Sequence, residues 1–227
     1  DLGWRDVHEI LIRTAVKFNP TEPGWLTNAA GLHFNNDYGA GLIDATAAVN
    51  LAATWTNLDP QISVKSTKTG LGLSIPNNSS AGRTLLFPLP SSNITTEHVT
   101  VRLTVNHSAR GDLEISLTSP SGTQSKLAFV RNDLGNDYND YTFSTVQNWG
   151  EDSNGVWTLK IADRKSTSNT TGGTVNAAEI TIYGAASPPV NPAPIVQITS
   201  PQSGAIFSPG VGFTVDVSAQ DFDIDGI

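Results

Sequence analysis

Val99-Thr100-Val101-Arg102-Leu103-Thr104-Val105 alternates apolar and polar residues without a break, and Leu113-Glu114-Ile115-Ser116-Leu117 resumes the pattern after Ser108-Ala109-Arg110-Gly111-Asp112. A period of two sets every second side chain on one face of a strand, and the β-branched residues suit a pleated, half-buried surface. The same alternation returns at Trp157, Leu159 and Ile161 and at Ile180 and Ile182. Ser119-Pro120-Ser121-Gly122-Thr123, Ser153-Asn154-Gly155 and Thr171-Gly172-Gly173 punctuate the runs with turn residues. The chain is therefore mainly β, and residues 59–186 are predicted to form a jelly-roll-like β-sandwich of about eight strands.

Upstream the period lengthens to that of a helix. Trp4, Val7, Leu11 and Ala15 recur at helical spacing, with His8, Glu9 and Arg13 on the other faces. Asp44 is placed to cap a second helix striped by Ala47, Ala48, Leu51, Ala52 and Trp55. Two short helices around an Asn- and Gly-rich loop bury too little surface to stand alone, so residues 1–58 read as the end of a larger domain. Downstream, residues 187–194 hold four prolines and read as a semi-rigid spacer. In residues 195–227, Ile195, Gln197 and Thr199 alternate with Val196 and Ile198, and Phe213-Thr214-Val215-Asp216-Val217 begins a second strand, as at the start of an immunoglobulin-like module. The 227 residues include no methionine, and residue 1 is read as internal to a longer polypeptide.

Composition closes several routes. Twenty-one acidic against thirteen basic residues give a net charge of −8, the wrong sign for a general nucleic-acid or anionic-membrane binder. No apolar run reaches the ~18–20 residues of a membrane span. The absence of cysteine excludes disulfides, thiol catalysis and thiolate-bound zinc.

Calcium is the cofactor the sequence raises. Asn132-Asp133-Leu134-Gly135-Asn136-Asp137-Tyr138-Asn139-Asp140 concentrates hard oxygen donors around a glycine, with Asp133, Asp137 and Asp140 as candidate ligands. The competing reading is a solvated acidic loop whose side chains satisfy their own backbone. Asp221, Asp223 and Asp225, followed by Gly226, match the opening of a calcium loop, against a plain Asp/Gly-rich turn between strands. Arg110-Gly111-Asp112 spells an adhesion tripeptide, or a structural turn whose glycine permits the bend. Trp149 and Trp157 serve as a carbohydrate-stacking pair or as core anchors.

Four blocks in order give the chain a family likeness. Trp4-Arg5-Asp6-Val7 with Arg13-Thr14, and Gly24-Trp25-Leu26-Thr27-Asn28-Ala29-Ala30-Gly31 leading into Asp37-Tyr38-Gly39-Ala40-Gly41-Leu42-Ile43-Asp44-Ala45, resemble the last helices of the catalytic domain of subtilisin-like proprotein convertases, the kexin/furin group. His107 to Leu113 with Leu117 to Thr123, and Trp149-Gly150-Glu151-Asp152 with Gly155 to Leu159 and Ile182-Tyr183-Gly184, resemble their P (homo B) domain. The resemblance implies the C-terminal portion of a secreted, bacterial serine endopeptidase with calcium bound. Its partners are then the chain's own upstream catalytic domain and the protein or peptide substrates. The Asp-Ser/Thr-Gly, His-Gly-Thr and Gly-Thr-Ser-x-x-x-Pro segments that hold the family's triad are absent here, so no residue of this chain is assigned a catalytic role and the triad is expected upstream. Gly122-Thr123-Gln124-Ser125 is only a look-alike, and His8, His33, His98 and His107 lack the family context. A non-catalytic binding or targeting module is the alternative function.

Overall fold

The computed structural model describes residues 1–165, 172–187, 195–200, 212 and 214–220. The chain divides into two units, Asp1–Ser187 and Pro188–Ile227. In the first, helix α1 (Trp4–Thr14) leads to a hairpin of β1 (Leu26–Thr27) and β2 (His33–Phe34), and then to helix α2 (Ala45–Ala52). The carboxylate of Asp44 accepts the Ala47 N–H at 2.9 Å, the cap its position implies.

Nine strands follow: β3 (Ile62–Lys68), β4 (Leu73–Ile75), β5 (Arg83–Leu89), β6 (Ile94–Asn106), β7 (Leu113–Thr118), β8 (Gln124–Ala128), β9 (Tyr138–Thr145), β10 (Gly155–Asp163) and β11 (Gly173–Ala186). They make two antiparallel sheets, β5-β10-β7-β8 and β3-β11-β6-β9, with the short β4 also paired to β11. The alternation seen in the sequence is what fills the space between them. Val99, Val101, Leu103 and Val105 from one sheet face Leu113, Ile115, Leu117, Trp157, Leu159 and Ile161 from the other, all buried. Trp157 is a core anchor: it is wholly buried and its indole N–H donates to the Ser153 carbonyl at 3.0 Å.

Gly184 shows why the end of β11 needs a glycine. The β11–β6 register slips between Tyr183 and Gly184, and the irregularity brings the Thr95 carbonyl onto the place a Cβ would occupy. In the second unit, β12 (Ile195–Ser200) and β13 (Asp216–Gln220) pair antiparallel, with Ile198 opposite Val217. Thr214 and Val215, expected in the second strand, lie before it.

Gly184→Ala is expected to lower the unfolding free energy of the first unit by about 1–3 kcal/mol, the usual cost of forcing a methyl into filled space. Leu117→Ala, which opens a cavity between the sheets, should cost about 2–5 kcal/mol. Denaturant unfolding followed by tryptophan fluorescence reads both, and an unchanged midpoint for Gly184→Ala contradicts the close approach of Thr95.

Candidate functional site

The helices meet the sandwich at the segment joining β9 to β10. Trp149, 1% exposed, packs there against Ile12 of α1 and Phe34 of β2, with Leu26, Leu32 and Val146 around them. Its indole N–H donates to Glu9 Oε2 at 2.5 Å, while Arg13 Nε donates to Glu9 Oε1 at 2.6 Å. The His8 ring meets the indole edge-on at 4.8 Å. Trp149 is thus an internal anchor rather than a stacking platform.

Three further polar side chains, with their partners, bind the same junction. Asn28 is buried and fully used: its amide donates to the carbonyls of Gln147 (3.1 Å) and Trp149 (2.8 Å), and its Oδ1 accepts the N–H groups of Ala30 (3.1 Å) and Leu32 (2.9 Å). The buried Glu151 accepts the Ala29 N–H at 2.9 Å, the Thr123 hydroxyl, and the Asn148 amide at 3.2 Å. Glu97, on β6, receives Arg5 Nε at 2.8 Å and pairs through its other oxygen with Arg5 Nη2; Arg5 Nη1 donates to the Asp59 carbonyl at 2.7 Å. The Glu97 carboxylate raises the Arg5 pKa above its ordinary value. A fourth carboxylate ties α1 to the chain leaving α2. Asp6 accepts the N–H of Leu58 (2.7 Å), the Trp55 indole N–H (3.0 Å) and the Gly3 N–H (2.7 Å). These donors, Leu58 first, hold its carboxyl below the usual aspartate range.

The junction is a rigid clamp, and the remaining candidates also have structural occupations. Asp133 Oδ2 accepts Arg110 Nε at 2.9 Å and Arg131 Nη2 at 2.8 Å, and Oδ1 accepts the Gly135 N–H, so the carboxyl is held down to about 2 with Arg110 the leading cause. Asp137 accepts the His107 N–H at 2.7 Å, and Asp140 faces Arg102 at 3.4 Å. Asp133 has already taken two guanidiniums, and among the described residues no three acidic or histidine side chains converge on a metal position. Asp133, Asp137 and Asp140 therefore do not fit a shared calcium site. Asp221, Asp223 and Asp225 lie outside the described residues.

Arg110-Gly111-Asp112 forms a 3-10 turn with Gly111 and Asp112 buried. A Cβ on Gly111 would stand 2.5 Å from the Asp133 carbonyl and 2.7 Å from that of Arg131, so the glycine serves close packing and the tripeptide is not on offer to a partner. Ser125, in the look-alike, is buried and donates to Asn148 Oδ1 at 3.0 Å. His107 uses Nδ1 on the Ala109 backbone and Nε2 on Asp163 at 3.2 Å. Among the described residues no histidine hydrogen-bonds a serine hydroxyl. Sequence reasoning singled out Trp149 and the blocks around Arg5, Asn28 and Glu151, but it missed Glu9 and Glu97 as the carboxylates that receive Trp149 and Arg5.

Comparison with known proteins gives this geometry a context. Residues 96–182 match the proprotein convertase P-domain family. The PC3-like endoprotease variant B of Hydra vulgaris is 37% identical over 172 residues, 71% of this chain and 24% of that protein. Furin of Rattus norvegicus is 35% identical over 193 residues, 82% of this chain and 24% of furin. Proprotein convertase subtilisin/kexin type 5 of Rattus norvegicus is 36% identical over 202 residues, 84% of this chain and 11% of that protein. The chain thus spans about a quarter or less of these relatives. The crystal structure of Aeromonas sobria serine protease with its chaperone shares the fold at a TM-score of 0.73 and 24% identity, over 82% of this chain and 40% of that one.

Glu97→Ala leaves the Arg5 guanidinium unpaired with 13% of its side chain exposed, and is expected to cost about 3–5 kcal/mol. Amide exchange in α1 should accelerate while strands β7 and β10 stay protected; exchange rising equally everywhere would show that the clamp and the sandwich are one cooperative unit. Acid should loosen the same helix through Asp6. A carboxyl whose folded pKa is depressed stabilises the fold fully above its ordinary value of 3.8, and that contribution disappears as pH falls through the lower folded value. Protection of α1 should therefore fall below about pH 4 in the native protein, with Asp6→Asn abolishing that part of the pH dependence.

Proposed function

We propose, from the match of residues 96–182 to the proprotein convertase P-domain family, that the chain is the C-terminal portion of a secreted subtilisin/kexin-type serine endopeptidase whose P domain stabilises the catalytic domain. Residues 1–58 are assigned to the end of that catalytic domain, 59–186 to the P domain, 187–194 to a linker and 195–227 to the start of an immunoglobulin-like module. The triad lies in the upstream part, which hydrolyses peptide bonds through an acyl-enzyme.

The two-faced character of α1 carries this reading. At about 100° per residue, Trp4, Val7 and Leu11 lie almost opposite Arg5, Glu9 and Ile12. The second face, largely polar, is the one fixed to the sandwich. The apolar stripe looks away: Trp4 is 68% exposed and Val7 43%. Between α1 and α2 runs a groove lined by Leu2, Val7, Ile10, Leu11, Val49 and Ala52 with no polar surface. A stripe of this kind on an otherwise anchored helix supports a covering domain, and the upstream catalytic domain is the occupant the family supplies. Among the described residues no helix is long and apolar enough to cross a membrane.

The native polypeptide upstream of Asp1 should encode the three triad segments, and the whole protein should cleave peptide substrates and react with a fluorophosphonate probe. Deleting residues 60–185 from it is expected to abolish secretion of active enzyme. Trp4→Glu with Val7→Glu should lower the yield of active enzyme at least tenfold, yet leave the stability of the isolated 227-residue chain within about 0.5 kcal/mol, as expected for exposed positions. Sandwich repeats upstream, or full activity of the deletion, would overturn the proposal.

A further inference from the structure

We propose that the seam between strands β8 and β9 is a peptide-binding exosite, which takes an acidic segment in extended conformation carrying an apolar side chain two residues from its carboxylate. The two strands are the terminal members of their sheets, so among the described residues each has an outer edge without a paired strand. Where they diverge lies a cleft of about 410 Å³, lined by Arg110, Arg131, Phe129, Tyr138, Tyr141 and Phe143. A second cleft of about 270 Å³ continues along the same strands past Lys126, Ser144 and Thr145 toward Phe34 and Asn36. The first falls in the size range of small-ligand sites. The pair in sequence suits a chain rather than a compact molecule.

Charge selects the occupant. Arg110 and Arg131 both pair with Asp133, so among the described residues two guanidiniums share a single ion-paired carboxylate. Their side chains remain 40% and 42% exposed. Lys126 adds an ammonium 5.3 Å above the Phe129 ring, although Glu114 also pairs with it. A cationic cleft on a chain of net charge −8 is a local inversion that attracts anions, and guanidinium is the group that grips a carboxylate with two parallel hydrogen bonds.

The aromatic wall supplies the apolar half. Tyr138, Tyr141 and Phe143 touch one another with ring centroids 4.8 to 5.4 Å apart, and Arg131 bonds the Tyr138 hydroxyl, which fixes the cluster beside the guanidiniums. Tyr141 is 51% exposed and Phe129 46%, so two large rings stand in water next to the cations. An extended peptide repeats its side chains every second residue on one face, which lets an acid meet the arginines while the next apolar side chain on that face meets Tyr141 or Phe143. Its backbone can pair with an open strand edge, the mode by which sheets commonly take peptides. This open edge favours a peptide over an acidic polysaccharide. The inference concerns these residues alone and stands whatever precedes Asp1.

The test uses the 227-residue chain and a fluorescent peptide of about seven residues, roughly the reach of β9 at ~3.4 Å per residue, with glutamate, phenylalanine and glutamate on alternate positions and serine between them. Saturable binding is expected, weakened at least tenfold when glutamine replaces glutamate, with amide shifts confined to β8, β9 and the loop between them. Arg131→Gln should weaken it at least tenfold. Because that change also removes contacts to Asp133 and Tyr138, Phe129→Ser with Tyr141→Ser provides a second probe at half-exposed positions and should have the same effect on binding while the chain still unfolds cooperatively with its native circular dichroism. Absence of saturable binding, equal affinity for the glutamine peptide, insensitivity to the Phe129 and Tyr141 changes, or preference for an oligogalacturonate over the peptide would each overturn the proposal.

Discussion

The junction depends on one indole. Trp149 lies where the end of the sandwich meets α1 and the β1–β2 hairpin, and it is both the largest apolar surface there and a hydrogen-bond donor. A buried indole N–H without a partner costs of the order of a hydrogen bond, so its position commits Glu9 to face inward. A buried Glu9 in turn needs a cation, and Arg13, one turn along the same helix, supplies it. The rotation of α1 about its axis follows from this chain of requirements. Arg5 and Glu97 then fix the other end of the same face.

Such a clamp is chosen for geometry more than for strength. Burying carboxylates is expensive, and their pairing with Arg5, Arg13 and the Trp149 N–H mainly offsets that expense. An apolar contact of equal area could slide or rotate. A bidentate guanidinium on Glu97 and four satisfied hydrogen bonds on Asn28 cannot do so without leaving buried groups unpaired. The last elements before the sandwich are thereby held in one orientation, and the apolar stripe of α1 is presented in a fixed direction.

What could be read in the sequence follows the same division. The sandwich was legible because a period of two is imposed by strand geometry, and Val99, Val101, Leu103 and Val105 declare it without reference to anything distant. Asp44 declared its cap for the same local reason. The three-residue β4 was not legible, since so short a run carries no period. The helix was legible, but not which face it turns to the sandwich: Trp4, Val7 and Leu11 have the look of a core stripe, whereas that face carries Ile12 and, through polar bonds, Glu9 and Arg5. Their partners stand 140 and 92 residues away, and no local pattern announces a bond across that distance. Density of oxygen ligands was likewise ambiguous at Asp133, because sequence cannot tell whether a carboxylate faces a metal or a guanidinium. Arg110 and Arg131 decide it.

The same two arginines then explain why this loop exposes aromatic rings. The loop is stitched to the Arg110-Gly111-Asp112 turn by backbone bonds from Arg110 to Gly135, from Gly111 to Asp133 and from Arg131 to Gly111. That stitching leaves β8 and β9 splayed at this end, while the hydroxyls of Ser125 and Thr145 join at the other. An open seam in a sandwich ordinarily fills with its own side chains. Here Tyr138 does fill it, but Tyr141 and Phe129 remain half in water with cations beside them. Stability alone gives no reason to leave two rings half in water at a sheet edge, where they invite association with any passing strand. A partner that is itself extended and acidic would use all three features at once, which neither a purely structural loop nor a calcium site does.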